Sequence, residues 1–522
     1  MKNKKICLFL CIAIVLQLVG CGGDVSLHNN ISDDPPSVSE VTTVSEEVTP
    51  ISEVIPKPEP EPEPAPPTEE EIRRSWAPVV EIAESPELVD ISSNCFEEID
   101  RIISRDIENG FSSAQLAVIK DNKLVCQNTW GYVNSYNPDG TLKEDRVPAT
   151  NDTLYDLASN TKMYTVNYAI QYLVTHDALD INTRICDILG DDFYEDTIEV
   201  HYLGYEFPGL ETEQEWKSRL TIRDVLCHEA GFPADPRYHS EYYDPSIDKR
   251  VDAPVNPLYM GAGADDKTRE QTLKMLFKTP LMYEPGTQTV YSDVDYMLLS
   301  FVIEKITGQD LESFLKTVFW EPMELDHICF NPLKNGFSPN DCAATELNGN
   351  TRDGAAFFEG IRTYTLQGEV HDEKAWYCMA GVSGHAGLFS SATDLALLAN
   401  LMLNGSDDPD KAFFSDEVIK TFTSPKDEAH EKWGIGWWLQ GPEKERAYYF
   451  SSVAPAETFG HQGWTGTLTC IDPTRNLVIV FLTNKINSPV KDPAADADVF
   501  TGSSYTTASL SFVPKLIMEA CK

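Results

Sequence analysis

The chain has 522 residues and a formal net charge of −42 at pH 7. That length leaves room for one large domain or two ordinary ones. So large an excess of acid argues against nucleic acid and against an anionic membrane surface as ligands, because both repel a negatively charged protein. The same charge is compatible with an exported soluble domain.

The first 20 residues are predicted to be a lipoprotein signal peptide. Residues 1–5 are basic, and residues 6–19 form an apolar run that is too short to span a bilayer. The run ends in LVG before Cys21, which resembles the lipobox of bacterial lipoproteins. This implies cleavage before Cys21, lipidation of that residue, and attachment to the lipid bilayer on the extracytoplasmic side of the cell envelope. An ordinary signal peptide is the alternative.

Residues 21–75 are predicted to be the lipidated cysteine and a disordered tether. The segment contains the run PKPEPEPEPAPP, and no aromatic residue follows Cys21 before Trp76. Such a segment cannot bury enough apolar surface to fold, and its Pro-Glu repeat favours an extended polyproline II chain. The tether would hold a folded domain over residues 76–522 away from the membrane and within reach of an envelope substrate.

The folded domain is predicted to contain strands, then helices, then strands. In chain order the pattern predicts a helix over 94–107, strands over 114–119 and 124–131 joined at Asp121-Asn122, mainly helices from 159 to about 403, strands over 465–471 and 477–483, and a helix over 509–520. Two strands at either end cannot make a stable sheet alone, so we expect one antiparallel sheet built from both chain ends and flanked by helices.

The predicted fold class is therefore α+β. We expect a sheet lobe over about 86–158 and 440–522, and a mostly helical lobe over about 159–439. The cleft between the lobes is the default place for a site. Nine cysteines follow Cys21, at irregular spacing and mostly in apolar contexts. Buried free thiols are expected, and no H-x-x-x-H or C-x-x-C spacing supports a metal or another cofactor.

The run TLYDLASNTKMYTVNYAI contains the most informative motif, Ser159 followed three residues later by Lys162. The run changes from strand-like residues to a long apolar-periodic segment. Ser159 should therefore lie at a helix N-terminus, with Lys162 on the same face one turn further on. A serine hydroxyl beside an amine that can lose its proton is an activated nucleophile. While the motif stands alone, an ordinary helix N-cap is the alternative.

A second motif is Tyr291-Ser292-Asp293. It follows a Pro-Gly turn and a short predicted strand, and Asp293 begins the next apolar helix. A tyrosine can serve as a general base if a nearby ammonium, here that of Lys162, lowers its pKa. The alternative is a core tyrosine next to a helix N-cap.

A third motif, His461-Gln462-Gly463, is predicted to open the strand that returns to the sheet. Glycines in the run TFGHQGWTGTLTCIDP permit close approach of the backbone to a ligand. The backbone N–H groups of Trp464 and Ser159 could then stabilise a developing oxyanion. A structural histidine is the alternative.

The order S-x-x-K, Y-x-N/D and K/H-x-G resembles that of class C β-lactamases and their penicillin-binding relatives. Over roughly residues 97–522 the chain also resembles the penicillin-binding protein 4B group of serine-type D-alanyl-D-alanine carboxypeptidases, and exported N-acetylmuramyl-L-alanine amidases. The strings that carry this resemblance are LYDLASNTKMY, CHEAGFPADPRYH, VYSDVDYMLLSF, AATELNGNTRDG, LQGEVHDEKAW, GVSGHAGLFSSA and GHQGWTGT.

This resemblance implies a class C β-lactamase-like fold and a role for each motif residue. Ser159 would be acylated, Lys162 would accept its proton, and Tyr291 would pass the proton to the leaving amine and later activate water. His461 would take the place of the third-motif lysine. The amides of Ser159 and Trp464 would form the oxyanion hole.

Two residues depart from the family pattern. Asp293 and Gly463 are predicted substrate-binding residues. Asp293 replaces an asparagine, and its carboxylate would hold Lys162 charged and make it a poorer base. His461 replaces a permanent cation with a group of reference pKa about 6.5. The change weakens the case for substrates that end in a carboxylate and leaves room for amidase or esterase chemistry. If a protonated His461 binds that carboxylate, activity on acidic peptides should fall as pH rises.

The segment from Asn350 to Ala386 is expected to be rich in loops and to supply the missing recognition. Arg352, Arg362 and His371 are its predicted substrate-binding residues. Exposed loop arginines bind carboxylates through bidentate hydrogen bonds. A solvated loop with structural ion pairs is the alternative.

The predicted function is that of a membrane-anchored serine hydrolase which forms an acyl-enzyme on peptidoglycan-derived peptides or muropeptides, as a D-alanyl-D-alanine carboxypeptidase. Three alternatives stay open: an N-acetylmuramyl-L-alanine amidase of wall recycling, an esterase or β-lactamase, and a non-catalytic protein that captures β-lactams or wall fragments. The sequence does not choose the scissile bond or the oligomeric state.

Overall fold

The computed structural model describes residues 67–201, 205–242, 255–427 and 430–522. The predicted signal peptide, Cys21 and the tether up to residue 66 lie outside these residues. Thr68–Lys522 forms one compact unit. Within the described ranges, no helix has both the length and the apolar character needed to cross a bilayer.

Strands from both parts of the chain form the main sheet. The strands are β1 (Glu81–Ile82), β2 (Ser113–Lys120), β3 (Lys123–Gly131), β4 (Tyr155–Asp156), β5 (Ile328–Phe330), β6 (Leu388–Ser390), β7 (Trp438–Leu439), β8 (Phe459–Gly463), β9 (Thr467–Asp472), β10 (Leu477–Thr483), β11 (Val490–Asp492) and β12 (Asp496–Phe500). The main sheet has the order β1-β3-β2-β10-β9-β8-β7, while β4-β6-β5 and β11-β12 form smaller sheets. Antiparallel pairing of β2 with β10 confirms the predicted sheet built from both chain ends.

Helices cover the sheet and build the second lobe. They are α1 (Glu69–Trp76), α2 (Asn94–Glu108), α3 (Tyr168–Thr175), α4 (Ile185–Leu189), α5 (Asp192–Glu195), α6 (Leu210–Ser218), α7 (Ile222–Leu226), α8 (Asp266–Lys278), α9 (Asp293–Thr307), α10 (Leu311–Leu315), α11 (Glu373–Met379), α12 (Ala392–Ala399), α13 (Asp416–Thr423), α14 (Ala447–Phe450) and α15 (Phe512–Ala520). Helices α2 and α15 pack together on one side of the sheet, and α12 packs against β2 and β10.

The core has two parts because side chains alternate between the faces of each strand. In β10, Ile479 and Phe481 belong to the cluster that includes residues of α2 and α15. Val478 and Val480, which alternate with them along the strand, belong to the larger cluster shared with the helical lobe. The cysteines within the described residues are all unpaired and mostly buried, as predicted.

The β2–β3 hairpin forms where the sequence predicts it. Asp121 and Asn122 have φ values of 52° and 55°. Two successive residues with positive φ are typical of the type I′ turn, whose twist matches that of the flanking strands.

Three features of the sheet differ from expectation. Strand β1 pairs parallel with β3, so the sheet is not wholly antiparallel. Strand β7 falls just inside the range assigned to the helical lobe. The strand predicted immediately before Tyr291 is absent from the described residues, where the chain is irregular. All three depend on pairing with distant segments rather than on local pattern.

The folded unit begins earlier than the predicted Trp76. Thr68 and Glu71 form a capping box that starts α1, within the segment expected to be tether. Arg74 pairs with Glu324 at 2.8 Å, and the Trp76 ring stacks on that of His176, with 5.5 Å between centroids. The acidic composition suggested disorder, but capping and tertiary contacts stabilise this helix.

Candidate active site

Ser159 lies at the start of a long helical segment, as predicted. Strand β4 leads into a single 3₁₀ turn over Ala158–Asn160, and helical backbone then continues through a π-helical stretch at Met163–Asn167 into α3. Ala158 has φ +46°, and its N–H donates to Asp156 Oδ1 at 2.9 Å. This turn leaves Ser159 half-buried and accessible.

Lys162 is the direct partner of the Ser159 hydroxyl. Its Nζ lies 3.3 Å from Ser159 Oγ, and its side chain is fully buried. The same ammonium donates to Asp293 Oδ1 at 2.8 Å and to the carbonyl of His385 at 3.1 Å. Serine, lysine and aspartate therefore form one continuous hydrogen-bonded group.

The pKa of Lys162 is raised above its usual value. Burial lowers it, but the charge of Asp293 and the hydroxyl of Tyr291 outweigh burial. This confirms the expectation that Asp293 holds Lys162 in its charged form. The neutral form, which can accept a proton, is consequently a minor form at neutral pH.

Tyr291, just before α9, lies next to this hydrogen-bonded group. Lys162 Nζ lies 4.7 Å from the centroid of its ring, and the buried His228 ring packs on it at 4.5 Å. Lys162 lowers the pKa of Tyr291, as predicted, but burial has the larger effect and the pKa is raised. Tyr291 is thus a protonated phenol, suited to relaying a proton rather than to holding a charge.

The turn after β8 is fastened beside the nucleophile. A Cβ on Gly463 would lie 2.2 Å from the carbonyl oxygen of Leu157, and Thr467 Oγ1 donates to that same oxygen at 2.9 Å. Asn160 Nδ2 in turn donates to Thr467 Oγ1 at 3.0 Å. These contacts place the turn that carries Trp464 next to the turn that carries Ser159, which is compatible with the predicted pair of oxyanion donors.

His461 differs from its prediction in position and in charge. It lies within β8 and does not open β9. Its buried ring packs on Trp438 at 4.5 Å, and Nδ1 donates to the Gln462 carbonyl at 2.8 Å. Burial, followed by the charge of Lys162, lowers its pKa to about 3. A neutral ring does not fit the prediction that a protonated His461 binds a substrate carboxylate at neutral pH.

Arg352 and Arg362 are not the exposed arginines that the sequence suggested. The Arg352 side chain is 12% exposed and pairs with Glu346, Glu373 and Asp498. Arg362 is buried, and its Nη2 donates to the Val370 carbonyl at 2.8 Å. Both side chains are engaged inside the protein, which fits the structural alternative, although Nη1 of Arg362 has no hydrogen-bond partner among the described residues and lies 4.0 Å from Glu369.

His371 has a supporting position. It is buried, and its backbone N–H donates to Asp156 Oδ2 at 2.7 Å. Its ring lies 5.0 Å from that of Trp464. Burial lowers its pKa to about 3. His371 therefore contacts the segment before Ser159 through its backbone and Trp464 through its neutral ring, which fits a supporting role better than that of a charged ligand.

Residues 99–501 match the family described as Beta-lactamase. This chain belongs to the beta-lactamase family. Proteins from Salmonella enteritidis PT4 (strain P125109) and Escherichia coli (strain K12), each named "Putative D-alanyl-D-alanine carboxypeptidase", are both 42% identical to it; the matches cover 85% and 84% of this chain and 95% and 93% of theirs. With the paired Ser159 and Lys162, these findings make the chain a serine hydrolase.

The solved structure of a penicillin-binding protein homologue has the same fold. A penicillin-binding protein homologue from Caulobacter crescentus superposes with a TM-score of 0.53 at 18% identity, over 82% of this chain and 98% of that chain. Together with the family match, this confirms the predicted class C β-lactamase-like fold of α+β type.

This beta-lactamase-family site contains a second lysine that the sequence reasoning missed. Lys374 Nζ lies 2.5 Å from Asp235 Oδ1 and 3.1 Å from Asp293 Oδ2. The side chain is 7% exposed. The string LQGEVHDEKAW drew attention to this region, but no local spacing indicates that its lysine reaches Asp293.

Arg446 is the other cation that the sequence reasoning missed. Its guanidinium lies over the rings of Trp438 and Trp433, at 4.2 and 4.7 Å from their centroids. Nε and Nη2 are buried and have no hydrogen-bond partner among the described residues. Its positive charge lowers the pKa of His461, and its guanidinium also interacts electrostatically with Tyr291. An arginine with unused donors thus lies beside the site.

The acidic groups of the site do not suit a metal ion. Asp293, Asp372 and His385 have ligand atoms within 4.8 Å of one another. However, the two oxygens of Asp293 contact the ammonium groups of Lys162 and Lys374. A cation placed there would face both ammonium groups at short range.

Proposed function

We propose that this serine hydrolase is a D-alanyl-D-alanine carboxypeptidase that acts on peptidoglycan-derived peptides through an acyl-enzyme. The observation that carries the proposal is the 3.3 Å contact between the accessible Ser159 Oγ and the buried Lys162 Nζ. The name shared by the relatives that are 42% identical supports the choice of substrate.

The proposed reaction starts with proton transfer from Ser159 Oγ to neutral Lys162, as Oγ attacks the substrate carbonyl carbon. Backbone N–H groups of Ser159 and Trp464 would stabilise the resulting oxyanion. Tyr291 would pass a proton to the leaving amine as the C–N bond breaks. Water would then attack the acyl-enzyme and release the shortened peptide.

Recognition of a C-terminal carboxylate needs a cation, and we assign that role to Arg446. Its Nε and Nη2 are buried without partners in the described part of the chain, which is costly for donors that no ligand satisfies. A carboxylate accepts two parallel hydrogen bonds from a guanidinium. The neutral His461 cannot provide that charge.

We also propose that the enzyme is attached to the membrane through lipidated Cys21 and works at the extracytoplasmic side of the cell envelope. The basic, apolar and lipobox-like segments at residues 1–21 support this. Replacing Cys21 with Ala should move the full-length protein from the detergent phase to the aqueous phase of a cell extract. Equal partition of both proteins would contradict the proposal.

The first test is product analysis with purified pentapeptide-bearing muropeptides. We expect mass spectrometry to show loss of one terminal alanine, and no loss in Ser159→Ala. That variant should stay folded, because replacing a small polar residue at a helix start costs about 1 kcal/mol. Lys162→Ala should lose nearly as much activity, since the two residues act as a unit.

The products also distinguish the alternatives. Cleavage between muramic acid and L-alanine would identify an amidase, and intact muropeptides with a folded enzyme would contradict both peptide activities. Full hydrolysis by Ser159→Ala would overturn the assignment of the nucleophile.

A further inference from the structure

Asp293 is shared between two lysines, one on each carboxylate oxygen. Oδ1 accepts from Lys162 at 2.8 Å, and Oδ2 lies 3.1 Å from Lys374 Nζ. Asp293 opens α9, whereas Lys374 lies in the first turn of α11. Two helix starts therefore converge on the group that activates Ser159.

Lys374 is a lasting positive charge. Burial lowers its pKa, but Asp235, Asp372 and Asp293 outweigh burial and leave the pKa raised well above its usual value. Asp235 is its shortest partner, at 2.5 Å, and the Asp235 side chain is 41% exposed. Asp235 therefore neutralises part of the Lys374 charge, and only the remainder acts on Asp293.

Other ionisable groups also face Lys162, from every element around it. Tyr291 and Asp293 contribute from the start of α9, and His461 from β8. The charge of Lys162 also reaches the buried pair of His228 and Asp295. Asp372 and His385 hydrogen-bond each other at 2.8 Å and act on Asp293. Among the other described residues, Arg446 acts on His461 and Lys426 acts on His228.

We propose that Lys374 is a positioning residue of acyl transfer, which holds Asp293 Oδ2 and thereby limits the negative charge that Asp293 presents to Lys162, with Asp235 setting the strength of this effect. The inference rests on the proposed function, in which neutral Lys162 takes the proton of Ser159. The contact leaves a larger share of neutral Lys162 than Asp293 would leave without Lys374.

Opposite effects are expected from the two partners. Lys374→Met removes a cation near Lys162 and leaves Asp293 to pair with Lys162 alone, so the pKa of Lys162 should rise further. Asp235→Asn removes a negative charge and leaves more of the Lys374 charge for Asp293, so the pKa of Lys162 should fall. A purely structural role would not produce shifts of opposite sign.

The test uses a fluorophosphonate probe, which does not depend on the natural substrate. Ser159 Oγ forms a bond to phosphorus, the P–F bond breaks, fluoride leaves, and the serine proton passes to Lys162. We would measure the labelling rate of the full chain against pH. For Lys374→Met we expect the rising limb of the pH profile to move to higher pH, so that the labelling rate falls about tenfold at pH values below the limb.

Asp235→Asn should move the rising limb to lower pH, and Lys374→Arg should keep the wild-type profile. Lys426→Met is the matched control, because Lys426 is an equally buried lysine that pairs with Glu229 at 2.6 Å instead of Asp293. Lys426→Met should lower the melting temperature without moving the rising limb of the pH profile.

No change of labelling rate in Lys374→Met, or rate changes of the same sign in both variants, would overturn the inference while leaving the nucleophile intact. If Lys374→Met does not fold, the direction of the Asp235→Asn shift decides. Failure of the wild-type chain to label, or labelling of Ser159→Ala, would instead overturn the proposed function and this inference with it.

Discussion

His461 and Arg446 show that charge at the site depends on surroundings more than on residue type. His461 occupies the motif position at which related enzymes have a cation, yet burial makes its ring neutral. Arg446 belongs to none of the three motifs, yet its guanidinium lies over Trp438, the same ring that packs on His461. The positive charge that the motif pattern places on residue 461 is therefore absent there, and our proposal assigns its role to Arg446.

A prediction at the residue scale follows for Arg446→Ala. With a peptide that ends in a free carboxylate, KM should rise about ten- to a hundredfold, because hydrogen bonds to charged groups contribute about 1.5–3 kcal/mol. With the matching C-terminal amide, KM should change little. Steady-state kinetics on the two peptides make the comparison.

Arg446→Lys is the control, since it keeps the charge and loses the bidentate geometry. It should lie between the wild type and Arg446→Ala on the acidic peptide. An equal rise in KM on both peptides for Arg446→Ala would show that the arginine only supports the two tryptophans.

At the scale of elements, the site depends on how closely β8 approaches the turn that carries Ser159. The carbonyl of Leu157 points at Gly463 and Thr467, so there is no room for a side chain between them. This approach sets the distance between the two proposed oxyanion donors. Glycine is required here for space rather than for an unusual φ.

Gly463→Ala should therefore damage catalysis more than stability. Its Cβ would push β8 away from the nucleophile turn, and a displacement of about 1 Å can reduce kcat about a hundredfold. Overpacking of this kind costs about 1–3 kcal/mol. Initial rates and thermal melts of the purified variant measure the two effects.

Gly502→Ala provides the comparison, because its Cβ would meet the Lys485 carbonyl at 1.9 Å, in a turn outside the catalytic motifs. It should lose stability and keep its kcat. Unchanged kcat in Gly463→Ala would contradict a precise role for this approach.

At the scale of the whole molecule, the folded unit includes a helix that composition assigned to the tether. Helix α1 reaches the helical lobe through Trp76, whose ring contacts His176 and Phe413. The boundary of the domain is therefore set by this contact and not by the end of the acidic, proline-rich run.

Removing α1 should destabilise the domain. A chain that begins at Ala77 should unfold at a lower temperature than one that begins at Thr68, and Trp76→Ala should account for most of the difference, about 2–3 kcal/mol. Arg74→Ala is the control: it removes a part-exposed ion pair, which contributes at most about 1 kcal/mol. Identical melting curves for both chains would show that α1 adds nothing to the fold.

The sequence alone determined those features of the protein that short-range sequence patterns control. The hairpin at Asp121-Asn122 follows from turn chemistry, and the helical position of Lys162 one turn after Ser159 follows from periodicity. The order of the three motifs also predicted the fold, the contact between Ser159 and Lys162 and the effect of Asp293 on Lys162. The hairpin and the contact of Ser159 with Lys162 are local, and the contact of Lys162 with Asp293 joins two recognisable motifs.

Only the tertiary structure decided which charges are free. Arg352 pairs with carboxylates inside the protein, Arg446 has two donors without a partner among the described residues, and Lys374 reaches Asp293 from another helix. Nothing in the spacing of these residues distinguishes them. Burial and long-range partners set the charge and the free donors of a side chain, and both arise only when distant segments of the chain pack together.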